Sequence, residues 1–345
     1  MDRRTLFVLI LFALALWGAY SIYAPFLLTM TVAVLLAMAT SNLTQYVARV
    51  IHSRKIAAVV MVLLLVILIL APIIYITTTG VEYLAQLDQQ TIREIFDKTR
   101  SLTKDIPYVN KWVEEYLQAD KVLPYFKEIS LYLTKMGSKG VGFMKDVLLV
   151  IIFYAGVVYY QEKFIAMLEA LIPAPQKESR EMIDEVSSTM EVVFYSIIVT
   201  AIFEGFLFGI FISYFGFNGL LFGAIYGFAS LIPIVGGAVV WVPVSLYAWS
   251  ELGANVAILI ASYSVIVISI IADTFVKPII IKMIKEQMLQ HHTRINEIVI
   301  FFSIVAGMST YGFWGMILGP AITTFLFAAT RIYLEYSSSI EARES

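Results

Sequence analysis

Cysteine is absent from the 345 residues, which removes disulfides, thiolate zinc sites and thiol chemistry together. Histidine is almost absent: there is His52, and the adjacent pair His291 and His292. No acid or further histidine stands at ligand spacing from that pair, so it reads as solvated or interfacial, and neither a metal nor a cofactor is expected. Charge is scarce too. Asp, Glu, Lys and Arg make up 14% of the chain, where a soluble domain carries about 25%. That is too few to coat a soluble surface. A net charge of −2 leaves no basic footprint, so nucleic acid is not an expected partner. The chain also lacks Gly-x-Ser-x-Gly, His-Glu-x-x-His and the phosphate-binding Gly-x-x-x-x-Gly-Lys-Ser/Thr, so neither an enzyme nor an ATP-driven pump is expected.

What the chain has in excess is apolar surface. Hydrophobic residues make up 60% of it and the mean hydropathy is +0.83. Such a chain is too apolar to stay disordered in water. The expected class is an all-α, polytopic integral membrane protein. A spanning helix needs about 20 mostly apolar residues. Segments 5–23, 56–79, 141–160, 192–215 and 255–275 qualify, and 26–40 adds a shorter span after the break at Ala24-Pro25. The first run is too long for the apolar core of a signal peptide and reads as a retained helix. Arg3 and Arg4, and the 41–55 stretch with Arg49, Arg54 and Lys55, are basic and two expected spans apart. Lys and Arg favour the cytoplasmic side, so both termini are expected in the cytoplasm and the protein in the cytoplasmic membrane.

Charge is concentrated in a few places. The 80–140 segment holds 18 of the 50 charged residues, nine of each sign. Its apolar residues recur at helical spacing, which predicts an extracytoplasmic amphipathic segment. It reads equally as an assembly or gating element and as a connector. The 161–191 stretch predicts a cytoplasmic amphipathic linker in which Phe164, Met167, Leu168 and Leu171 line one face, leading into Met182, Val186, Met190 and Val193. Inside expected spans lie only Lys145 with Asp146, Glu204, and Asp273. The expected organisation is therefore 1–79, an N-terminal three-helix region; 80–140; 141–191, a fourth span and linker; 192–334, a transport core; and 335–345, a tail.

The second half is apolar but interrupted. Pro233-Ile234-Val235-Gly236-Gly237 predicts a helical hairpin over 219–249. Gly307 to Gly312 predicts a second turn inside 298–333, with Gly319-Pro320 breaking its returning arm. The count is six full spans plus two re-entrant hairpins, about eight helices. Paired Gly/Pro-broken segments in such a chain point to a transport site near the bilayer midplane. Gly205-x-x-x-Gly209, Gly219-x-x-x-Gly223-x-x-x-Gly227 and Gly315-x-x-x-Gly319 predict close helix packing, or else a smooth sliding surface. A carboxylate inside a span is costly unless it is paired or protonated. Glu204 and Asp273 are therefore candidate coupling residues, although Asp273 also stands at salt-bridge spacing from Lys277.

The order of these elements resembles the autoinducer-2 exporter family. So do the 219–237 stretch with Ile232-Pro233-Ile234-Val235-Gly236, Asp273 followed by Pro278, and Gly312-Phe-Trp-Gly315-Met-Ile-Leu-Gly319-Pro320. The resemblance covers nearly the whole chain and is closest over 192–333. It implies secondary transport: export of a quorum-sensing signal or another small polar molecule, or antiport of sodium or lithium against protons. It also implies a homo-oligomer, with a pentamer as the expected state, within the lipid bilayer. Glu204, Pro233, Gly236, Gly237, Asp273, Pro278, Gly312, Gly319 and Pro320 become candidate site or hinge positions. A passive channel or a non-transporting scaffold is the alternative from another class.

Overall fold

In the computed structural model, residues 3–86, 101, 142–172, 175–232, 236–279, 282 and 296–344 are described, and every element among them is helical. Six runs are long and apolar enough to cross a membrane: Arg3–Ala39, Arg54–Gly80, Gly142–Tyr159, Gln176–Ser213, Ala254–Ile279 and Ile298–Leu334. The described residues form two compact units. One is Met1–Val62, Phe143–Glu191 and Thr293–Ser345; the other is Leu63–Gly142 and Val192–His292. The predicted 80–140 segment falls almost entirely outside the described residues.

The first unit opens with α1 (Arg3–Tyr23) and α2 (Leu27–Ala39). Ala24-Pro25 does interrupt the helix, but only as a single 3-10 turn, Ala24–Phe26. The backbone stays in the right-handed region at both ends of that turn. The two spans expected here therefore form one interrupted run. Proline is tolerated at the first position of a helical turn, where its missing N–H costs nothing. No residue of α1 is buried, whereas α2 buries Val32, Ala33, Leu36 and Ala39.

Next come α3 (Ser41–Ile51) and the start of α4 (Arg54–Gln86), α5 (Gly142–Tyr159) and α6 (Gln161–Leu171). The first part of α7 (Gln176–Ser213) buries Met182, Val186 and Met190, whereas Met167 of α6, on the face expected to be apolar, is 54% exposed. Phe26 packs edge-on against Phe153. The Thr40 hydroxyl and the Tyr154 phenol share a buried hydrogen bond of 2.9 Å.

The predicted C-terminal hairpin lies in this unit as α11 (Glu297–Tyr311) and α12 (Gly315–Glu344). The chain reverses at the far end of the 307–312 motif, through the 3-10 turn Gly312–Trp314. Met308 to Tyr311 stay helical. Gly312 supplies φ +60°, a conformation that L side chains rarely adopt. The arms meet on glycine: a Cβ on Gly307 would run into the Gly315 carbonyl, and one on Gly319 into the Ser303 carbonyl. The expected break at Gly319-Pro320 does not occur, because α12 continues through Pro320. Pro320, the sixth residue of α12, forfeits the main-chain bond to Met316 without ending the helix; the Thr324 hydroxyl donates to the Pro320 carbonyl at 2.7 Å.

The second unit contains the remainder of α7, then α8 (Gly219–Ala229), α9 (Gly236–Leu252) and α10 (Ala254–Tyr263). Asn218 caps α8, its side chain accepting from the Leu221 N–H at 3.0 Å. The glycine stripes of α7 and α8 face each other antiparallel. A Cβ on Gly205 would sit 2.5 Å from the Gly223 carbonyl oxygen, and one on Gly209 equally close to that of Gly219. This is the close-packing use of small-xxx-small spacing. The 219–249 hairpin is also present: α8 and α9 pack together, and Gly236 lies against the Ala229 carbonyl. Pro233 lies outside the described residues. With 11 residues, α8 spans only about 16 Å, half of a hydrocarbon core about 30 Å thick.

Phe208, Ile212, Tyr226, Val240, Val244, Ala248, Ile260 and Ile268 form the core of this unit. Tyr226 stacks on Phe208 at 4.5 Å between centroids. Its phenol occupies the space a side chain on Gly237 would need.

Candidate functional site

The chemistry in this apolar unit gathers where α7 meets the continuation of α10. After Tyr263 the helix widens into a π-helical segment, Ser264–Val276. The Ser269 hydroxyl donates to the carbonyl of Ser264, five residues back, at 3.2 Å. π-Helical turns are uncommon and are frequent at functional sites. Asp273 stands on this segment; its side chain lies outside what the structure describes. Lys277 follows at its end, and the exposed Pro278 comes next.

Glu204 projects from the apolar part of α7, beside Gly205 of the glycine contact. Its side chain is 8% exposed, and the Lys277 ammonium stands 3.7 Å from its carboxylate. That separation is an ion-pair contact rather than a hydrogen bond. Burying a carboxylate costs several kcal/mol without compensation, on the order of the penalty for any ion taken out of water, and the Lys277 ammonium supplies a counter-charge that offsets it. Lys277 is 39% exposed on its side chain: it reaches the acid while its stem stays at the margin, as long basic side chains do at membrane boundaries. Spacing along one helix singles out Asp273 as a partner for Lys277. The structure adds Glu204, 73 residues earlier in the chain, and no local pattern points to that pairing.

One turn before Glu204, on the same face of α7, stands Thr200. Its hydroxyl is buried and, with those of Ser245 and Ser264, has no hydrogen-bond partner among the described residues. A buried hydroxyl left unpartnered costs about 1–3 kcal/mol. Among the described residues there is no cluster of three or more His, Asp or Glu able to hold a metal. His291 and His292 lie outside the described residues.

The first unit holds polar contacts that sequence reading did not single out. Glu191 is 3% exposed and accepts from the Asn42 main-chain N–H at 3.2 Å and from its side-chain amide at 2.8 Å. Asn42 is the second residue of α3, so Glu191 caps the positive end of that helix from another element. Arg331 of α12 donates two parallel bonds, 3.0 and 2.9 Å, to Glu185 of α7, a fork geometry that only arginine provides. Neither had a local signal: Glu178 and Glu181 share the helical face of Glu185, and Ser187 and Ser188 that of Glu191. Lys145 and Asp146, adjacent inside an expected span, pair with each other at 3.7 Å near its margin.

The hinge candidates fall as follows. Gly236 and Gly237 begin α9 against α8, Gly312 makes the α11–α12 turn, Gly319 packs under α11, and Pro320 lies within α12. The two hairpins belong to different units.

Comparison with known proteins covers the same length of chain. The sequence model described as AI-2E family transporter matches residues 6–335. A "Putative transport protein" of Helicobacter pylori strain J99 is 31% identical over 337 residues, 96% of this chain and 95% of that protein. Its counterpart in strain 26695 is 29% identical, with 96% of each covered. A protein of the same description from Aquifex aeolicus is 27% identical over 173 residues, 50% of this chain and 46% of that protein.

Proposed function

The chain belongs to the AI-2E transporter family, and from that premise we propose that it is a gradient-coupled secondary transporter of the cytoplasmic membrane in which Glu204 binds the coupling cation. That it is a multi-pass membrane transport protein follows from the family and the six span-length helices. The observation that carries the coupling assignment is the Glu204–Lys277 pair. The carboxylate is buried in the most apolar part of α7, and its counter-charge comes from a lysine at the end of a π-helical segment.

Lys277 acts in this reading as an internal substitute for the transported cation. A proton, sodium or lithium ion that reaches Glu204 takes over the neutralising role and releases the ammonium. An approaching like charge repels it by several kcal/mol at short range in a medium of low dielectric. The carboxylate is then never left buried and bare, the condition that makes membrane acids costly. Asp273 is the second candidate, on the same π-helical segment as Ser264 and Ser269. Two features support ligation nearby: the buried hydroxyls of Thr200 and Ser264, and the half-length helix α8 packed on α7.

The test is reconstitution of the full chain in liposomes with an imposed pH gradient, following sodium and lithium entry with an ion-sensitive dye. Wild type carries gradient-driven flux, and Glu204→Gln abolishes it. Flux that survives intact in both Glu204→Gln and Asp273→Asn refutes the coupling assignment.

A further inference from the structure

We propose that the cleft between the end of α3, the start of α4 and the α5–α6 junction is a binding site for the headgroup of an anionic phospholipid. The cleft has a volume of about 890 Å³, and Arg49, His52, Arg54 and Lys163 are among its lining residues. Three permanent cations thus face one carboxylate, Glu162, which pairs with Arg54. No carboxylate partner is found for Arg49 or Lys163 among the described residues. A basic pocket between membrane helices is the arrangement that recognises phosphate headgroups.

Three further features place a lipid rather than a soluble anion in this cleft. It lies where two span-length helices end together: Arg54 opens one and Tyr159 closes the other. Tyr159 and Tyr160 line it, and paired tyrosines mark the headgroup depth of a bilayer. On α3 the cleft-facing stripe is Gln45 and Arg49, while the neighbouring stripe, Tyr46 and Val50, is 64% and 61% exposed. Ile56 and Val59 of α4 add exposed apolar surface. A helix polar on one side and bare apolar on the next lies in the plane of the interface. A ligand that satisfies both stripes has a phosphate at one end and hydrocarbon at the other.

The experiment uses the purified full chain in detergent. Phosphatidylglycerol and phosphatidylcholine with identical acyl chains are titrated, with inorganic phosphate and glycerol phosphate as soluble arms. Retained lipid is counted by native mass spectrometry, and stabilisation is followed as the melting temperature. Wild type is expected to prefer phosphatidylglycerol, and the soluble anions at matched concentration to leave the melting temperature unmoved. Removing one basic side chain near an anionic lipid weakens binding about five-fold, so Arg49→Gln with Lys163→Gln is expected to weaken it about 30-fold. Both residues are exposed, so the lipid-free melting temperature should not change. The single variants, each about five-fold weaker, repeat the measurement separately. The proposal is overturned if wild type binds both lipids equally, if soluble phosphate reproduces the shift, or if the variants keep the full preference.

Discussion

Replacing Gly223 by alanine tests the α7–α8 contact directly. The added Cβ would lie 2.6 Å from the Gly205 carbonyl oxygen and 3.1 Å from the Gly209 Cα, where ordinary van der Waals contact begins at 3.4 Å. The shorter contact is about 0.8 Å too close. Neither neighbour is the far end of a flexible side chain; both are helix backbone. Relief therefore requires α7 and α8 to separate, which loosens Gly205, Gly209, Gly219 and Gly227 as well. Overpacking of this kind costs about 1–3 kcal/mol, and the rigidity of two backbones argues for the upper end. Alanine recovers about 1 kcal/mol through its better helix propensity, so the expected net loss is about 2 kcal/mol. Gly156→Ala is the matched control, because a Cβ there meets nothing within 4 Å. It carries the same propensity gain, up to about 1 kcal/mol, without the clash. Melting followed by tryptophan fluorescence in detergent reports on this unit, since Trp241 packs against its core. Gly223→Ala should melt about 4–8 °C below wild type, and Gly156→Ala at or slightly above it. Equal melting temperatures for the two variants would mean that the glycine stripes are not in backbone contact.

Two other contacts give independent expectations. Asn42→Ala removes the side-chain amide bond to the buried Glu191 carboxylate, leaves the main-chain N–H bond in place, and should cost about 1.5–3 kcal/mol, as a bond to a charged group does. Restoration of wild-type melting by the double variant Asn42→Ala/Glu191→Met checks that the loss comes from the stranded acid. The Glu185–Arg331 fork predicts that Glu185→Gln and Arg331→Met each lower stability, while the pair together loses less than the sum; a double-mutant cycle in thermal melts reads the difference, and simple additivity counts against the fork.

Much of the fold could be read from spacing along the chain. Gly205, Gly209, Gly219, Gly223 and Gly227 announce a close contact because small residues four apart fall on one helix face, and the structure pairs those very stripes. Gly312 and the Pro233-to-Gly237 motif mark interruptions because backbone dihedrals are local properties. What escaped is tertiary or azimuthal. Spacing places Asp273 near Lys277, but only the packing of α7 brings Glu204 to the same lysine. Glu191 looks like the last residue of a solvated linker until α3 supplies its N–H groups. The π-helical stretch has no hydropathy signature, because shifting each main-chain bond by one residue leaves composition untouched. Pro320 reads as a breaker by type, yet α12 continues through it, as helices packed in membrane proteins can when neighbouring groups satisfy the freed backbone.

The way the two units are threaded sets an order of events during synthesis. The second unit holds α7 to α10 as consecutive neighbours, so its pairings can form while the ribosome is still adding residues. The first unit cannot be completed then, because α2 packs against α12, which emerges after all the other described helices. Until that final helix arrives, the buried face of α2, with Val32, Ala33, Leu36 and Ala39, has no α12 beside it, and Glu185 waits for Arg331. Contacts that distant in sequence form late and leave exposed surface in the meantime. Loss of α12 would therefore damage the N-terminal helices, some 290 positions away in the chain, more than the α7–α10 bundle that is far nearer to it in sequence.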